Sequence, residues 1–231
     1  MFKLPSHKSP KIPEIKLYAE ARLPTTYGEF KVYVFHSDAD RKEHLALTMG
    51  DVKGARGILV RVHSECLTGE SLLSLRCDCG EQLHRSLEMI AQAGRGILIY
   101  LRQEGRGIGL GNKVKAYALQ DEGLDTIEAN HQLGFDADER DYHIAVSILK
   151  FFDVKSLFLI TNNPEKIRDL SEHGIEIIQR IPIEIPPNPH SREYLKTKRD
   201  KAGHILRNPA LDDECLLIDF RPEPEPDKED N

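Results

Sequence analysis

Three cysteines in the segment Cys66-LTGESLLSLR-Cys77-Asp78-Cys79 constrain this chain more than any other feature. Ten residues separate the first pair and one separates the second. Three thiolates form a soft ligand set suited to zinc. Three protein ligands rather than four leave one coordination position open, the arrangement by which a catalytic metal activates water. Arg61-Val-His-Ser-Glu65 runs directly into Cys66, and Gly80 with a helix-like stretch follows Cys79. The metal would therefore sit among charged and polar groups. Other readings stay open on spacing alone. Two of the thiols form a disulfide, although Cys77 and Cys79 are too close to pair comfortably and one thiol is left over. The cysteines are buried and inert. Or they build a closed structural zinc site whose fourth ligand is Cys215, His63 or His84.

The length of 231 residues suits one large domain or two small ones, with a substantial core. Apolar residues make up 39% and charged residues 30%, the profile of a globular chain. No apolar run reaches the roughly 18 residues of a membrane helix. The start, MFKLPSHKSPK, is polar and lacks the apolar stretch of a secretory signal. The expected compartment is a reducing cytoplasm, which argues further against disulfides. The net charge of −6 disfavours a general nucleic-acid binder. Much of the acid sits in the tail after Arg221, while Arg61, Arg76, Arg85, Arg95, Arg102, Arg106, Lys113 and Lys115 gather in mid-chain. That region suits a small, highly anionic ligand, although any single one of these residues is more readily read as surface solvation.

The expected organisation is a flexible leader over residues 1–15, a catalytic domain over 16–207 and an acidic, disordered tail over 208–231. Strands are expected at Ala19–Leu23, Lys31–Phe35, His44–Thr48, Gly57–Val62, Gly96–Leu101, Ser156–Thr161 and within Ile175–Ile185. Helices are expected over Glu81–Ala93, Leu110–Leu119, Asp138–Phe152, Pro164–His173 and His190–Leu206, with Ile144, Ile148 and Phe151 on one face of the third. A loop containing Asn130 and Gly134 precedes that helix. Early strands pair in antiparallel fashion and later ones alternate with helices. This predicts an α/β (mixed α+β) fold, a single compact domain with a mixed sheet and flanking helices.

Three further segments carry chemistry. Gln103-Glu-Gly-Arg-Gly-Ile-Gly-Leu-Gly111 lies between a strand and a helix and lets backbone N–H groups approach phosphate. It matches neither a Walker A loop nor a dinucleotide fingerprint. Glu104 within it is out of place for phosphate alone, and a carboxylate there suits the N1–H and exocyclic amine of guanine. Thr161-Asn-Asn-Pro-Glu-Lys166 ends a strand and opens a helix, with Asn163 as cap and Pro164 at the first position. Capping explains Asn163 and Pro164; Thr161 and Lys166 suit an anion at the strand's carboxyl end. Asp138 reads first as the cap of the next helix, with Asp141 as its acidic partner. Asp138 and Arg140 converge on a ligand only if they lie at that helix start.

Taken in order, RVHSECLTG (61–69), SLRCDCGEQL (74–83), RQEGRGIGLGNKVKAYALQ (102–120), the stretch 125–142, LITNNPEK (159–166) and YLKTKRDKAGHIL (194–206) resemble the GTP cyclohydrolase II family. That family comprises zinc enzymes that open the guanine imidazole ring at the start of riboflavin synthesis. The resemblance runs from about Leu17 to Leu206. It implies zinc on Cys66, Cys77 and Cys79. It implies a GTP site lined by Arg61, Val62, His63, Ser64, Glu65, Gln82, Glu104, Gly105, Arg106, Thr126, Thr161 and Lys166. Asp138 would be the proton acceptor, Arg140 the nucleophile and Tyr117 an active-site hydroxyl. The implied reaction releases formate and pyrophosphate from GTP, with Mg²⁺ on the triphosphate, and the implied assembly is a homodimer. A guanidinium is a poor nucleophile, so Arg140 as a charge clamp stands beside that assignment. Two other functions compete: an enzyme that stops at the formamide, and a GTP-binding module without catalysis. A zinc-ribbon nucleic-acid binder lacks its second cysteine pair.

Overall fold

The structure is a computed structural model that describes residues 12–211. Residues 1–11 and 212–231, which hold most of the expected leader and acidic tail and also Cys215, lie outside the described residues. The chain is already packed near the start of the described range. Ile12 and Ile15 lie against the core, and Ser147 Oγ donates to Pro13 O at 2.6 Å.

Seven strands form one mixed sheet in the order β1-β2-β3-β5-β4-β6-β7. The strands are β1 (Ile15–Thr25), β2 (Gly28–Ser37), β3 (Glu43–Met49), β4 (Ile58–Ser64), β5 (Gly96–Leu101), β6 (Leu157–Ile160) and β7 (Ile177–Ile181). Pairing from β1 through β3 to β5 is antiparallel, and from β5 through β4 and β6 to β7 it is parallel. The reason lies in the side chains. The centre of the sheet reads as unbroken apolar runs, with Val60, Val62, Ile97, Ile99, Leu157 and Leu159 fully buried, as strands covered on both faces require. Parallel neighbours need crossover connections, and these carry the helices.

The helices are α1 (Leu67–Glu70), α2 (Cys79–Ala93), α3 (Gly109–Asp121), α4 (Thr126–Gln132), α5 (His143–Phe151), α6 (Pro164–Glu172) and α7 (Arg192–Asp200). Ile144, Ile148 and Leu149 of α5 and Leu170 of α6 join one core with Val60, Val62 and Ile99. Ile90, Leu83 and Leu87 of α2 pack on Leu98 and Ile160 in a second core. The α/β class, the mixed sheet and each expected strand are therefore present. Among the described residues, no helix is long and apolar enough to cross a membrane.

Three expectations change. The segment around Asn130 is not a loop: α4 occupies it, opened by a capping box. Asp125 Oδ1 accepts from Ile127 N at 2.7 Å and Glu128 N at 3.0 Å, and Glu128 Oε2 accepts from Asp125 N at 3.0 Å. The helix expected from Asp138 begins only at His143, because residues 138–141 are spoken for elsewhere. Glu139 N donates to Arg106 O at 3.1 Å, Asp138 binds Arg140, and Asp141 Oδ1 accepts from His143 N at 3.1 Å. At its far end Phe151 is 43% exposed, with Phe152 turned into the core in its place. The last helix stops at Asp200 rather than running to Leu206. Gly203 takes a φ of +64°, and His204 N donates back to Lys198 O at 2.9 Å, closing the last turn. Ile205 N then reaches Asn162 O at 2.8 Å, which returns the chain to the sheet.

The capping box gives a direct test of α4. Asp125→Ala removes an acceptor for two backbone donors and should cost about 1 kcal/mol, a Tm decrease of about 2–4 °C. Thermal unfolding followed by circular dichroism checks it, and an unchanged Tm would mean that packing alone holds this helix.

Candidate active site

The parallel arrangement dictates where chemistry is possible. Strands β4, β5 and β6 run the same way, so the segments leaving their carboxyl ends emerge side by side. These are Glu65-Cys66, the glycine loop 103–107, and Thr161-Asn162-Asn163. Each was singled out in the sequence, and the sheet makes them neighbours.

The three thiols meet. The Sγ atoms of Cys66, Cys77 and Cys79 lie within 4.8 Å of one another, with Cys66 and Cys77 at 3.6 Å. Tetrahedral zinc with bonds of about 2.3 Å needs sulfurs spaced about 3.8 Å apart. All three cysteines are free. The cradle is tight: a Cβ on Gly69 would sit 2.7 Å from Cys77 Sγ and 3.3 Å from Cys66 Sγ. Position 69 therefore admits only glycine without moving a ligand. The thiols also share their protons. Hydrogen bonding from Cys77 and Cys79, with Lys113 Nζ 3.0 Å away, holds Cys66 well below the ordinary thiol range, and Cys77 is pushed up to about 11 by Cys66.

A buried carboxylate fixes this cradle to the sheet. Glu70 Oε1 accepts from Cys66 N at 2.8 Å and from His63 Nε2 at 2.8 Å, and Glu70 Oε2 accepts from Tyr100 OH at 2.6 Å. Burial lowers the His63 pKa to about 4, so the ring is neutral at pH 7 and its Nε2–H points at Glu70. Glu104 is tied in from the other side, accepting from Leu67 N at 2.6 Å and Lys113 Nζ at 2.8 Å. Tyr117 OH stands 3.1 Å from Thr68 Oγ1, which is itself 3.7 Å from Cys66 Sγ.

Two adjoining cavities open here. The first is walled by the three cysteines, Glu65, Glu104, Gly105, Tyr117 and Thr126. The second is lined by Arg61, His63, Gln82, Thr161 and Lys166. Ser64, Cys79, Arg106, Arg140 and Tyr194 belong to both. Two of the residues expected at the site stand apart. The Val62 side chain is in the core, and only its carbonyl takes part, accepting from Lys166 Nζ at 2.7 Å. Asp138 lines neither cavity; it grips Arg140 through Nε at 2.8 Å and Nη2 at 2.5 Å. This pairing, not a helix start, is what Asp138 and Arg140 share.

The second cavity is strongly positive. Arg61, Arg106, Arg140, Lys166 and Lys198 face it, and Asp78 is the carboxylate among the described lining residues. Burial lowers Arg61 to about 10, and burial together with Arg61 and Arg140 pushes Lys166 well below its usual value. Asp138 goes the other way. Burial acts to raise it, but the Arg140 contact outweighs this and leaves it below the usual carboxylate range. Arg61 Nε and Arg106 Nη2 are buried without a hydrogen-bond partner among the described residues. Arg106 holds a φ of +57°, a conformation costly for a side chain, between Gly105 at +63° and Gly107 at +96°. It is anchored by Nη1 to Ala137 O at 3.2 Å.

The basic cluster seen in the sequence divides here. Arg85 pairs with Glu88 and Arg102 with Glu65, whereas Arg61, Arg106 and Lys113 face the cavities; Arg76 pairs with Asp121 and also lines the first cavity. Sequence reasoning missed Asp78, Tyr194, Lys198 and His204. Asp78 stood between two cysteines in plain view, but nothing in the 190–206 stretch signals that it returns to the sheet end.

Comparison with known proteins agrees with this geometry. The family profile described as GTP cyclohydrolase II matches residues 16–182. A protein named GTP cyclohydrolase-2 from Picrophilus torridus is 54% identical over 192 residues, covering 83% of this chain and 100% of that one. Relatives of the same name from Escherichia coli O45:K1 and Cronobacter sakazakii are 54% and 53% identical over 193 residues, covering 84% of this chain and 98% of theirs. A solved two-domain 3,4-dihydroxy-2-butanone 4-phosphate synthase from A. baumannii aligns with 72% of this chain and 40% of its own, at 20% identity and a TM-score of 0.46. With a thiol cradle and a cationic cavity at the ends of parallel strands, and more than half of its sequence identical to these relatives over most of its length, this chain belongs to the GTP cyclohydrolase II family of enzymes.

Proposed function

We propose that this protein binds GTP across the two cavities and hydrolyses it to formate, pyrophosphate and 2,5-diamino-6-(5-phosphoribosylamino)pyrimidin-4(3H)-one, the first step of riboflavin biosynthesis. One observation carries the reading. A thiol-walled cavity adjoins a cavity with five cations and one carboxylate, and the two share Arg106 and Arg140. A base beside the thiols and a polyanion against the cations is the ligand shape this fits. Homodimeric assembly and a cytoplasmic location belong to the same reading.

The soft, closely spaced thiol set fits zinc, which Cys66, Cys77 and Cys79 would hold. Zinc there supplies Lewis-acid activation of water near neutral pH. The remaining work falls to the chain. Glu104, held rigidly by Lys113 and Leu67 N, accepts from the guanine N1–H and exocyclic amine. Tyr117, its pKa raised by burial, is a neutral phenol that donates to the imidazole nitrogen as the ring opens. One water adds at C8 and breaks the C8–N bond, and a second cleaves the resulting formamide to release formate. A third attacks the α-phosphorus and expels pyrophosphate; Mg²⁺ accompanying the substrate would offset the phosphate charge. Arg61, Arg106 and Lys166 hold the phosphates, and Arg61 Nε and Arg106 Nη2 find acceptors there.

Arg140 acts in this reading as a charge clamp on the α-phosphate. Its fork is fully engaged by a carboxylate, which stabilises the protonated guanidinium and opposes the deprotonation that a nucleophile needs. Asp138 thus orients Arg140 more than it accepts protons.

Two measurements test these assignments. Mass spectrometry of zinc-loaded protein with GTP and Mg²⁺ should show formate, pyrophosphate and the diaminopyrimidinone. A product retaining the formyl carbon would point to the shortened reaction, and unchanged GTP with zinc bound to a binding module. In the same series Cys66→Ser should lose zinc by elemental analysis and with it ring opening. For Arg140, hydrolysis of a chiral α-thio GTP in labelled water should invert configuration at phosphorus, and Arg140→Lys should slow pyrophosphate release about a hundredfold. Retention of configuration would restore Arg140 as a covalent nucleophile.

A further inference from the structure

The cationic cavity is walled in part by a segment beyond the family profile, which ends at residue 182, though within the stretch 194–206 that resembles the family. Helix α7 and the turn after it bring Tyr194, Lys198 and His204 into its wall. The segment is firmly docked there. Ile205 N donates to Asn162 O at 2.8 Å, and Lys201 pairs with Asp125 and Glu128 at the start of α4.

Lys198 is the informative residue. Its side chain is 12% exposed, its Nζ donates to Asp78 Oδ1 at 3.0 Å, and the same Nζ lies 4.3 Å from the Tyr194 ring centre. Asp78 Oδ2 accepts from Gln82 Nε2 at 2.5 Å, and Gln82 Oε1 accepts from Arg61 Nη2 at 2.7 Å. A single relay thus joins Lys198, Asp78, Gln82 and Arg61 along the cavity floor. Asp78 in the wall and Asp138 behind Arg140 are two carboxylates against five cations, which leaves the wall positive. Burial depresses Lys166 most, Arg61 and Arg140 add to this and Lys198 contributes least, so these cations repel one another, while Asp78 and Tyr194 keep Lys198 itself charged. Crowding like charges in a desolvated pocket is costly unless an anion joins them.

We propose that Lys198 is a further phosphate-binding residue of the nucleotide site, with Asp78 holding its ammonium in place until the polyphosphate arrives. The proposal rests on the reading that the cavity takes a nucleoside triphosphate, and it makes α7 a functional wall. Lys198 then contributes to binding of the phosphates and not of the base, which lies beyond Cys79 in the other cavity. The competing role is structural: Lys198 merely anchors Asp78, and through it the segment that carries Cys77 and Cys79.

The test uses the full-length, zinc-loaded protein and two competitive inhibitors, inorganic pyrophosphate and guanosine. In Lys198→Met the inhibition constant for pyrophosphate and the KM for GTP should each rise about tenfold or more, as loss of a charged hydrogen bond predicts. The constant for guanosine, the zinc content and kcat should stay within about twofold. Lys198→Arg should recover most of the pyrophosphate affinity. Equal weakening of pyrophosphate and guanosine, or loss of zinc, would overturn the proposal in favour of the anchor. A second measurement needs no variant: pyrophosphate, but not guanosine, should slow acetylation of Lys198 in the unaltered protein, read by peptide mass spectrometry. Equal acetylation with and without pyrophosphate would also overturn it. If the unaltered protein binds neither GTP nor pyrophosphate, the proposed function itself fails. If it binds both and Lys198→Met binds them equally well, only the role of Lys198 falls.

Discussion

The parallel pairing of β5, β4 and β6 is the constraint on which the rest of this molecule depends. An antiparallel centre would send consecutive segments to opposite edges of the sheet. Parallel strands send them to one edge, and three connections of very different composition converge there. Each brings something the others lack. The β4 exit brings Cys66, the β5 exit brings a glycine loop with Glu104 and Arg106, and the β6 exit brings Thr161 and the cap of α6. No two of these lie close in sequence, and the sheet alone makes them one site.

Holding that site together needs buried polar groups, and the chain handles them in two ways. On the thiol side most are satisfied, His63 Nδ1 being left without a partner among the described residues. Glu70 accepts from Cys66 N, His63 and Tyr100, so a carboxylate that would be costly alone becomes a rigid tie. On the phosphate side several are left unsatisfied. Arg61 Nε and Arg106 Nη2 have no partner among the described residues, Lys166 is stripped of water, and Arg106 sits in a left-handed conformation. Strain of this kind persists only where the surroundings impose it. On Arg61 and Arg106 it falls on donors that an anion would complete, which supports the proposed polyanionic ligand.

The sequence revealed which segments matter better than how they meet. Thiol spacing, the glycine loop and Thr161 to Lys166 were each readable, because each depends on residue types at short range. The strands were readable from their apolar runs. Capping logic succeeded at Asn163, whose Oδ1 accepts from Glu165 N at 2.9 Å. The same logic failed at Asp138, because tertiary contacts from Arg106 and Arg140 claim the segment before a helix can start. It also went unused at Asp125, where the pattern D-x-x-E was present at 125–128 and α4 follows. What no local pattern carries is the return of α7. Lys198 and Asp78 are 120 positions apart, and only the docking of the last segment makes them neighbours.

That long-range closure bears on how ring opening and pyrophosphate release, as proposed, would be coordinated in one site. Arg106 and Arg140 border both cavities, so a nucleotide spanning them touches the same two guanidiniums from its base side and its phosphate side. Each is pinned from outside the cavities, Arg106 by Ala137 O and Arg140 by Asp138, and these two anchors lie next to each other in the chain. The segment 137–140 therefore acts as one brace for both arginines, and this explains why it forgoes helical hydrogen bonds. A helix beginning at Asp138 would have satisfied the backbone locally but withdrawn both anchors. The irregular backbone is the condition for placing two charges at the boundary where base and phosphate chemistry meet.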